Sequence, residues 1–440
     1  MADILVLGAT GYTGRLITRY LNDHPQRSEF TYAIAGRSKS KLGQLKKTLN
    51  LDESVRTFEV DVTDKDGLEE VIKQVKVVIN TVGPYYVWST PVVRACVRNG
   101  KHYVDISGEP HWTRDIILEY DYLATKTHSV IIPGCAFNSL LFDLSVYLSY
   151  KELKSISPDS SIDRSVSACK ARGGISGGTL GSIMSDFENL PAWKRTMSRQ
   201  DWAISPIMGS PQPPIQQVGQ LPYTYPPVFC GLAVSGYINR LNIQRTWSLL
   251  EFIRRQSARE THATSTLPSY GPSFRYEEFT IMPSKFTAML FFTIVNAIMT
   301  SLSFALVRWF LKKIVPKPGD GPSEATLKNG FVELINITSS SDPKPKHVRT
   351  VIKGKGDPGY ALTSVMVSES ALSLLLHQSE LPAFSDAWKN SSEFGVGGIL
   401  TPVSALGDVL VRRLESTGRF DFVSEVIDEV KSGATRKKLE

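Results

Sequence analysis

The residues most able to do chemistry begin at the N-terminus, where Gly8-Ala9-Thr10-Gly11-Tyr12-Thr13-Gly14 follows the apolar run Ile4–Leu7 and precedes an apolar-periodic stretch, Leu16–Leu21. Strand, glycine turn and helix in that order suit a dinucleotide. Glycines let the backbone approach a pyrophosphate, and the N–H groups and dipole of the new helix attract the anion. The spacing is GxxGxxG rather than GxGxxG, so a plain tight turn is the alternative. After a second apolar run, Thr31–Ala35, come Arg37, Ser38, Lys39 and Lys41, where a dinucleotide site meets the adenosine ribose. An NAD enzyme would put a carboxylate here. Cations and hydroxyl donors suit a 2′-phosphate, so NADPH is favoured over NADH. Asp61, after the run Val55–Val60, either holds the adenine edge or caps its own turn. Thr81, Val82, Gly83 and Pro84 end a fourth run at the sheet edge where open α/β folds bind ligands, near the expected nicotinamide. Tyr85 and Tyr86 just beyond are candidate donors, and Glu109, after the run His102–Ile106, is a candidate acid or proton relay.

Farther on, Gly177, Gly178 and Thr179 open a helix and could offer backbone N–H groups to a phosphate, carboxylate or carbonyl; a structural turn is the alternative. The stretch Gly174-Ile175-Ser176-Gly177-Gly178 also fits a GxSxG nucleophile elbow, but no hydrolase-type strand array surrounds it. YxxxK occurs at Tyr122/Lys126, Tyr147/Lys151 and Tyr150/Lys154, a repetition that chance explains, and none follows a fifth strand with a serine upstream.

The elements that must position these groups follow from the pattern. Six short strands with helices between them describe a doubly wound parallel sheet over residues 1–150. From residue 151 the order changes, and an α+β substrate or dimerisation domain extends to 390. Residues 391–440 are expected to return to the first sheet. Pro-rich residues 205–227 form a long irregular loop, and Pro316–Ser323 a connector. Phe286–Val307 is free of charge and followed by Arg308, Trp309, Lys312 and Lys313. It suits an apolar helix, 286–311, lying on a membrane or lipid-droplet surface, with burial or a true span as alternatives. The 440 residues carry a net charge of +7, enough to favour anionic cofactors or headgroups without pointing to nucleic acid. Four dispersed cysteines without a CxxC pair suggest neither disulfides nor a metal site, and the N-terminus lacks a secretory pattern. An intracellular protein is expected, cytoplasmic or peripheral at a lipid surface.

The strings GATGYTG, AGRSKSKL, TVGPYY, HYVDISGE, SGGTLGS and KPGDGPSE, in this order, resemble the saccharopine dehydrogenase-like oxidoreductases, a group that includes the trans-acting enoyl reductases. The resemblance covers nearly the whole chain and implies a Rossmann-type fold with an inserted substrate domain. One departure stands out. Where the family usually has GCGFDSxPSDL, this chain has Gly134-Cys135-Ala136-Phe137-Asn138-Ser139-Leu140-Leu141-Phe142-Asp143-Leu144. Asn138 cannot exchange a proton near neutral pH and becomes a candidate carbonyl donor, while the added apolar residues suggest a greasier substrate. Asp105 and Asp143 suit helix caps or groups behind the site. The expected function is NADPH-dependent reduction of an enoyl C=C in a small lipophilic or polyketide-like substrate, free or carrier-bound, by a protein that could pair as a homodimer. The alternatives are a saccharopine-type C–N oxidoreductase and a non-catalytic nucleotide-binding scaffold at a lipid surface.

Overall fold

The computed structural model describes residues 1–261, 268–314, 319–389 and 396–427. Pro316–Pro318 of the predicted connector, Gly395 and residues after 427 lie outside the described residues. Strands β1 (Ile4–Leu7), β2 (Tyr32–Gly36), β3 (Arg56–Glu59), β4 (Val77–Asn80), β5 (His102–Asp105) and β6 (Val130–Ile132) appear in turn with intervening helices. Next come β7 (Ile162–Arg172), β8 (Val218–Gln220), β9 (Phe229–Leu232), β10 (Arg275–Met282), β11 (Phe331–Ser340), β12 (His347–Lys355), β13 (Gly398–Ile399) and β14 (Phe420–Ile427).

The first sheet is parallel, in the order β13-β6-β5-β4-β1-β2-β3, with β1 paired to both β2 and β4. All its strands but the exposed edge strand β3 are buried on both faces, which is why they are apolar without alternation. Ile4 and Val6 enter one core while Leu5 and Leu7 enter another. The strand order reverses direction between β1 and β4, so their carboxyl ends diverge and leave a crevice there.

The second sheet is mixed, in the order β14-β12-β11-β7-β10-β9-β8. Between the sheets lie the helices Phe137–Ile156, Thr363–Leu376 and Pro402–Ser416, whose side chains share one core with β1 and with Val332, Leu334 and Ile352 of the second sheet. Asn336 reaches from β11 to Ser149 of the first of these helices (2.8 Å), and its amide also bonds Ser165 and Ser167.

Two boundaries differ from the sequence expectation. Residues after 396 divide between the sheets: β13 joins β6, but β14 pairs with β12, so the C-terminal segment does not all return to the first sheet. The apolar run from 286 to 311 is two helices, Lys285–Ser301 and Ala305–Ile314, bent by 99°. Arg308 accounts for the corner, because its guanidinium donates to the carbonyls of Leu302 (2.7 Å) and Ser303 (3.0 Å) while approaching Glu188. A straight 22-residue span is therefore not formed.

Candidate active site

At the end of β1 the chain turns at Gly8, whose φ of +84° only glycine adopts without strain. A Cβ on Gly14 would sit 2.3 Å from the Gly8 carbonyl, so the turn packs backbone directly on backbone. Gly11 precedes the helix Tyr12–Asn22 without any side-chain cap. Its first N–H groups, on Tyr12, Thr13 and Gly14, thus face outward with the positive end of the helix dipole, the arrangement a pyrophosphate requires. Thr10 lies against Gly36 at the end of β2. The Tyr12 hydroxyl is committed elsewhere, donating to the Pro322 carbonyl, while Arg15 donates to Gly319 (2.9 Å). Only the backbone of Tyr12 is therefore free for a cofactor.

Next come the residues expected at the adenosine ribose. Arg37 and Lys41 are exposed at the mouth of β2, and Ser38 caps the next helix by accepting from the Lys41 N–H. Asp61 caps its own turn through Thr63 (2.9 and 2.8 Å), and Arg37 helps to hold its carboxyl below the usual range after those two bonds. Of the two readings for Asp61, the turn cap is the one the geometry contains.

At β4, Thr81 ties the glycine turn down by donating to Leu7 (2.9 Å) and Gly8 (3.2 Å), and Val82 donates to the Asn80 side chain. Gly83 is exposed and Pro84 half-buried, leaving this edge open to a ligand. Tyr85 is not a catalytic donor. Its buried hydroxyl donates to the Asn80 carbonyl (3.1 Å), and desolvation holds its pKa far above the ordinary value. Tyr86 is half-buried, its ring packed edge-on against His111 and beneath the Lys194 ammonium.

Glu109 is buried, and its two oxygens accept the N–H groups of Tyr85 (2.9 Å) and Tyr86 (2.8 Å). Burial raises its pKa against those bonds. Asp105, wholly buried, binds the N–H groups of Ser107 and Gly134 (both 2.8 Å) and so knits the ends of β5 and β6; it stands behind the site. Asp143 is deeper still, bonded to Thr246 and to the Val403 N–H, its pKa pushed up to about 7 by burial.

Past these strand ends opens a small cleft, lined among others by Glu109, Ser139, Ile204, Ile238, Arg245 and Leu400. Asn138 stands half-buried beside it, with no hydrogen-bond partner among the described residues. The apolar replacements next to it are not substrate wall. Leu140, Leu141 and Phe142 are buried in the helix Phe137–Ile156, so the greasier loop expected there is core. Ser139, which the sequence reading passed over, has φ +77° and ψ −67°, a rare backbone conformation pinned by its N–H bond to Asn239 (2.7 Å). Arg245, also missed, is fully buried at the cleft floor with its guanidinium spent on the carbonyls of Ile204 and Ile399.

The Gly177–Thr179 cradle is mostly filled. Gly177 donates to the Asp320 carbonyl and Thr179 to the Ser176 hydroxyl, so only Gly178 keeps a free N–H. Ser176 is a buried helix cap, which removes the nucleophile reading. What this helix does bring to the site is Ser182, near Glu109, and Asp186, near His111. Glu109, His111 and Asp186 form a group of potential metal ligands that the cysteine count could not reveal.

The family model described as the saccharopine dehydrogenase NADP binding domain matches residues 4–132. A protein of Mycobacterium tuberculosis named as a trans-acting enoyl reductase is 30% identical over 94% of this chain and 96% of its own. The chain belongs to the saccharopine dehydrogenase-like oxidoreductases. Another such relative, a trans-acting enoyl reductase of Mycobacterium ulcerans, is 27% identical over 94% of this chain and 96% of its own. Among solved structures, apo saccharopine dehydrogenase (L-Glu forming) from Saccharomyces cerevisiae superposes with a TM-score of 0.52 at 12% identity, covering 97% of this chain and 100% of that one, and shares the fold. As a member of this family the protein is an NADP-dependent oxidoreductase, and the uncapped helix start and the exposed Arg37 fit NADPH.

Proposed function

We propose that this oxidoreductase reduces the C=C bond of an enoyl group conjugated to a carbonyl, on a lipophilic or polyketide-like chain. The cleft carries the reading: Glu109 and Ser139 line it just beyond the strand ends, together with the apolar Ile204, Ile238 and Leu400 and with further polar residues such as Asn242 and Thr401. The names of the relatives support the same reaction class. Bound NADPH supplies the hydride. The chain must then hold the carbonyl, a role we assign to the Ser139 hydroxyl, and deliver a proton, a role we assign to Glu109, both of which line the cleft. A C–N substrate bearing several carboxylates is supported less well, because Arg245 is a cation at the cleft but has already committed its guanidinium to backbone carbonyls.

The test is NADPH consumption with enoyl thioesters of increasing chain length, set beside imine-forming keto acid and amine pairs. Turnover of the enoyl series, with KM falling as the chain lengthens, is expected. Consumption by the imine pairs alone would overturn the reading.

We further propose that the elbow formed by Lys285–Ser301 and Ala305–Ile314 rests on a lipid surface, membrane or droplet. Phe286, Leu290, Ile294 and Ile298, spaced four apart on one helical stripe, are all about half or more exposed. Leu306, Trp309 and Phe310 extend the apolar surface around the bend.

A further inference from the structure

Ser139, to which the substrate carbonyl is assigned above, sits in a backbone conformation that its own sequence does not favour. Its φ of +77° and ψ of −67° describe the rare, strained form of the γ-turn, which persists only where the surroundings over-determine it. Two directions supply that constraint. From the first sheet, Gly134 leaves room for the side chain: a Cβ there would stand 3.2 Å from Ser139 Oγ, and the Gly134 N–H is itself held by Asp105 (2.8 Å). From the other side, the Ser139 N–H donates to the side-chain oxygen of Asn239 (2.7 Å), 100 positions away in the chain.

Asn239 is wholly buried near the start of the helix Gly236–Thr261. A backbone N–H only donates, so the amide must turn its oxygen to Ser139 and its NH2 group the opposite way. There Glu278 of β10 waits, half-buried, and accepts from Asn239 Nδ2 (2.9 Å) with one carboxyl oxygen. Its other oxygen accepts from the hydroxyl of Tyr276 (3.1 Å), two residues back on the same face of the strand and itself wholly buried. The carboxyl therefore keeps the amide from turning over, because a turned amide would set NH2 against the Ser139 N–H and offer its oxygen to an acceptor.

We infer that Asn239 and Glu278 are positioning residues for the reduction, which hold the Ser139 turn and so keep its hydroxyl where the substrate carbonyl is bound. The inference rests on the role proposed above for Ser139. A donor aimed at charge that develops on a carbonyl oxygen acts only within a narrow range of distance and angle. Released from Asn239, Ser139 is free to relax toward the helical conformation of the residues that follow it, and its hydroxyl leaves the cleft with it. A pair from the segment between the two parts of the first sheet thus sets the geometry at that sheet's edge.

The test uses the full chain, NADPH and an enoyl thioester. Asn239→Ala should lower kcat by about tenfold or more, leave NADPH affinity within about twofold by calorimetry, and speed hydrogen–deuterium exchange in the peptide that contains Ser139. Glu278→Leu should act in the same direction, and Glu278→Gln, which keeps an acceptor oxygen for the amide, should regain most of what Glu278→Leu loses. The deciding comparison is with Ser139→Ala. Once the hydroxyl is gone, adding Asn239→Ala should cost no more than about a further twofold in kcat, whereas losses that act independently would multiply. Multiplied losses, a wild-type kcat in Asn239→Ala, or a Glu278→Gln variant no better than Glu278→Leu would overturn the inference. Should the wild type reduce no enoyl acceptor, the proposed reaction fails separately: faster exchange at Ser139 in Asn239→Ala and Glu278→Leu, but not in Glu278→Gln, would still support the clamp, and unchanged exchange would remove it.

Discussion

Arg37 is one exposed guanidinium beyond β2, and its sequence neighbours alone marked the ribose end of the cofactor. Since a cation at this position answers a 2′-phosphate, which NADH lacks, Arg37→Asp is expected to weaken NADPH binding by about tenfold or more while leaving NADH within about threefold, by calorimetry. Equal losses for both nucleotides would mean that the substitution damages the fold instead. Other residues were less legible. Tyr85 and Tyr86 look alike in sequence, yet the first spends its hydroxyl on Asn80 and the second packs on His111. Nothing in the spacing separates a tyrosine that faces its own strand from one that faces the site. His111 and Asp186 lie 75 positions apart, and only the packing of two helices joins them. The string SGGTLGS pointed to that second helix, but for its N-terminus rather than for the carboxylate two turns later.

At the level of elements, the parallel strands were legible because burial on both faces demands short apolar runs, and their glycine breaks mark the turns. The helix Phe137–Ile156 was not. It begins with the non-helical pair Asn138 and Ser139 and is apolar on nearly every side, so it carries no clean 3.6-residue period. The helix Thr363–Leu376 hides a charged tie of the same kind. Its Glu369, 1% exposed, accepts from the Tyr20 hydroxyl (2.5 Å) and from Arg413 (2.7 Å) and pairs with His24 (2.9 Å). Three helices from distant parts of the chain thus meet at one carboxylate, and the pairing draws its pKa down despite the burial that opposes it. Glu369→Gln leaves Arg413 buried without a counter-charge, which should lower unfolding stability by about 3 kcal/mol. Denaturant unfolding with an unchanged slope would register this as a lower midpoint. A shift smaller than about 1 kcal/mol would show that the network contributes orientation rather than stability.

The molecule as a whole is two seven-stranded sheets with a shared helical core between them, and the elbow at Lys285–Ile314 is the part that core does not absorb. The sequence showed its apolar length, but not the bend, which depends on Arg308 reaching back to carbonyls and on Glu188 pairing with Lys312 at 2.8 Å. By contrast, Pro358–Leu376 passes the same test of length and hydropathy and is mostly buried, so composition alone does not distinguish a core helix from a surface one. The polar residues of the elbow do not argue against lipid. Thr293 donates to the Met289 carbonyl (3.0 Å) and Asn296 to Phe292 (2.8 Å), so their hydrogen bonds are met within the helix. Ala288, fully buried against Gly231 of β9, seats the opposite face of that helix on the second sheet. Vesicles containing anionic lipid are expected to carry the wild-type protein upward in a flotation gradient. Phe286→Ser, Leu290→Ser and Ile294→Ser together remove three side chains that would each transfer about 1 kcal/mol or more on partial insertion, so partitioning should fall by about 100-fold. Because these side chains are exposed, the triple variant should keep the wild-type midpoint of unfolding, and turnover on a short, water-soluble acceptor should be unchanged. Wild-type protein that stays at the bottom of the gradient, or a triple variant that floats as well as the wild type, would remove the elbow from any role at a lipid surface.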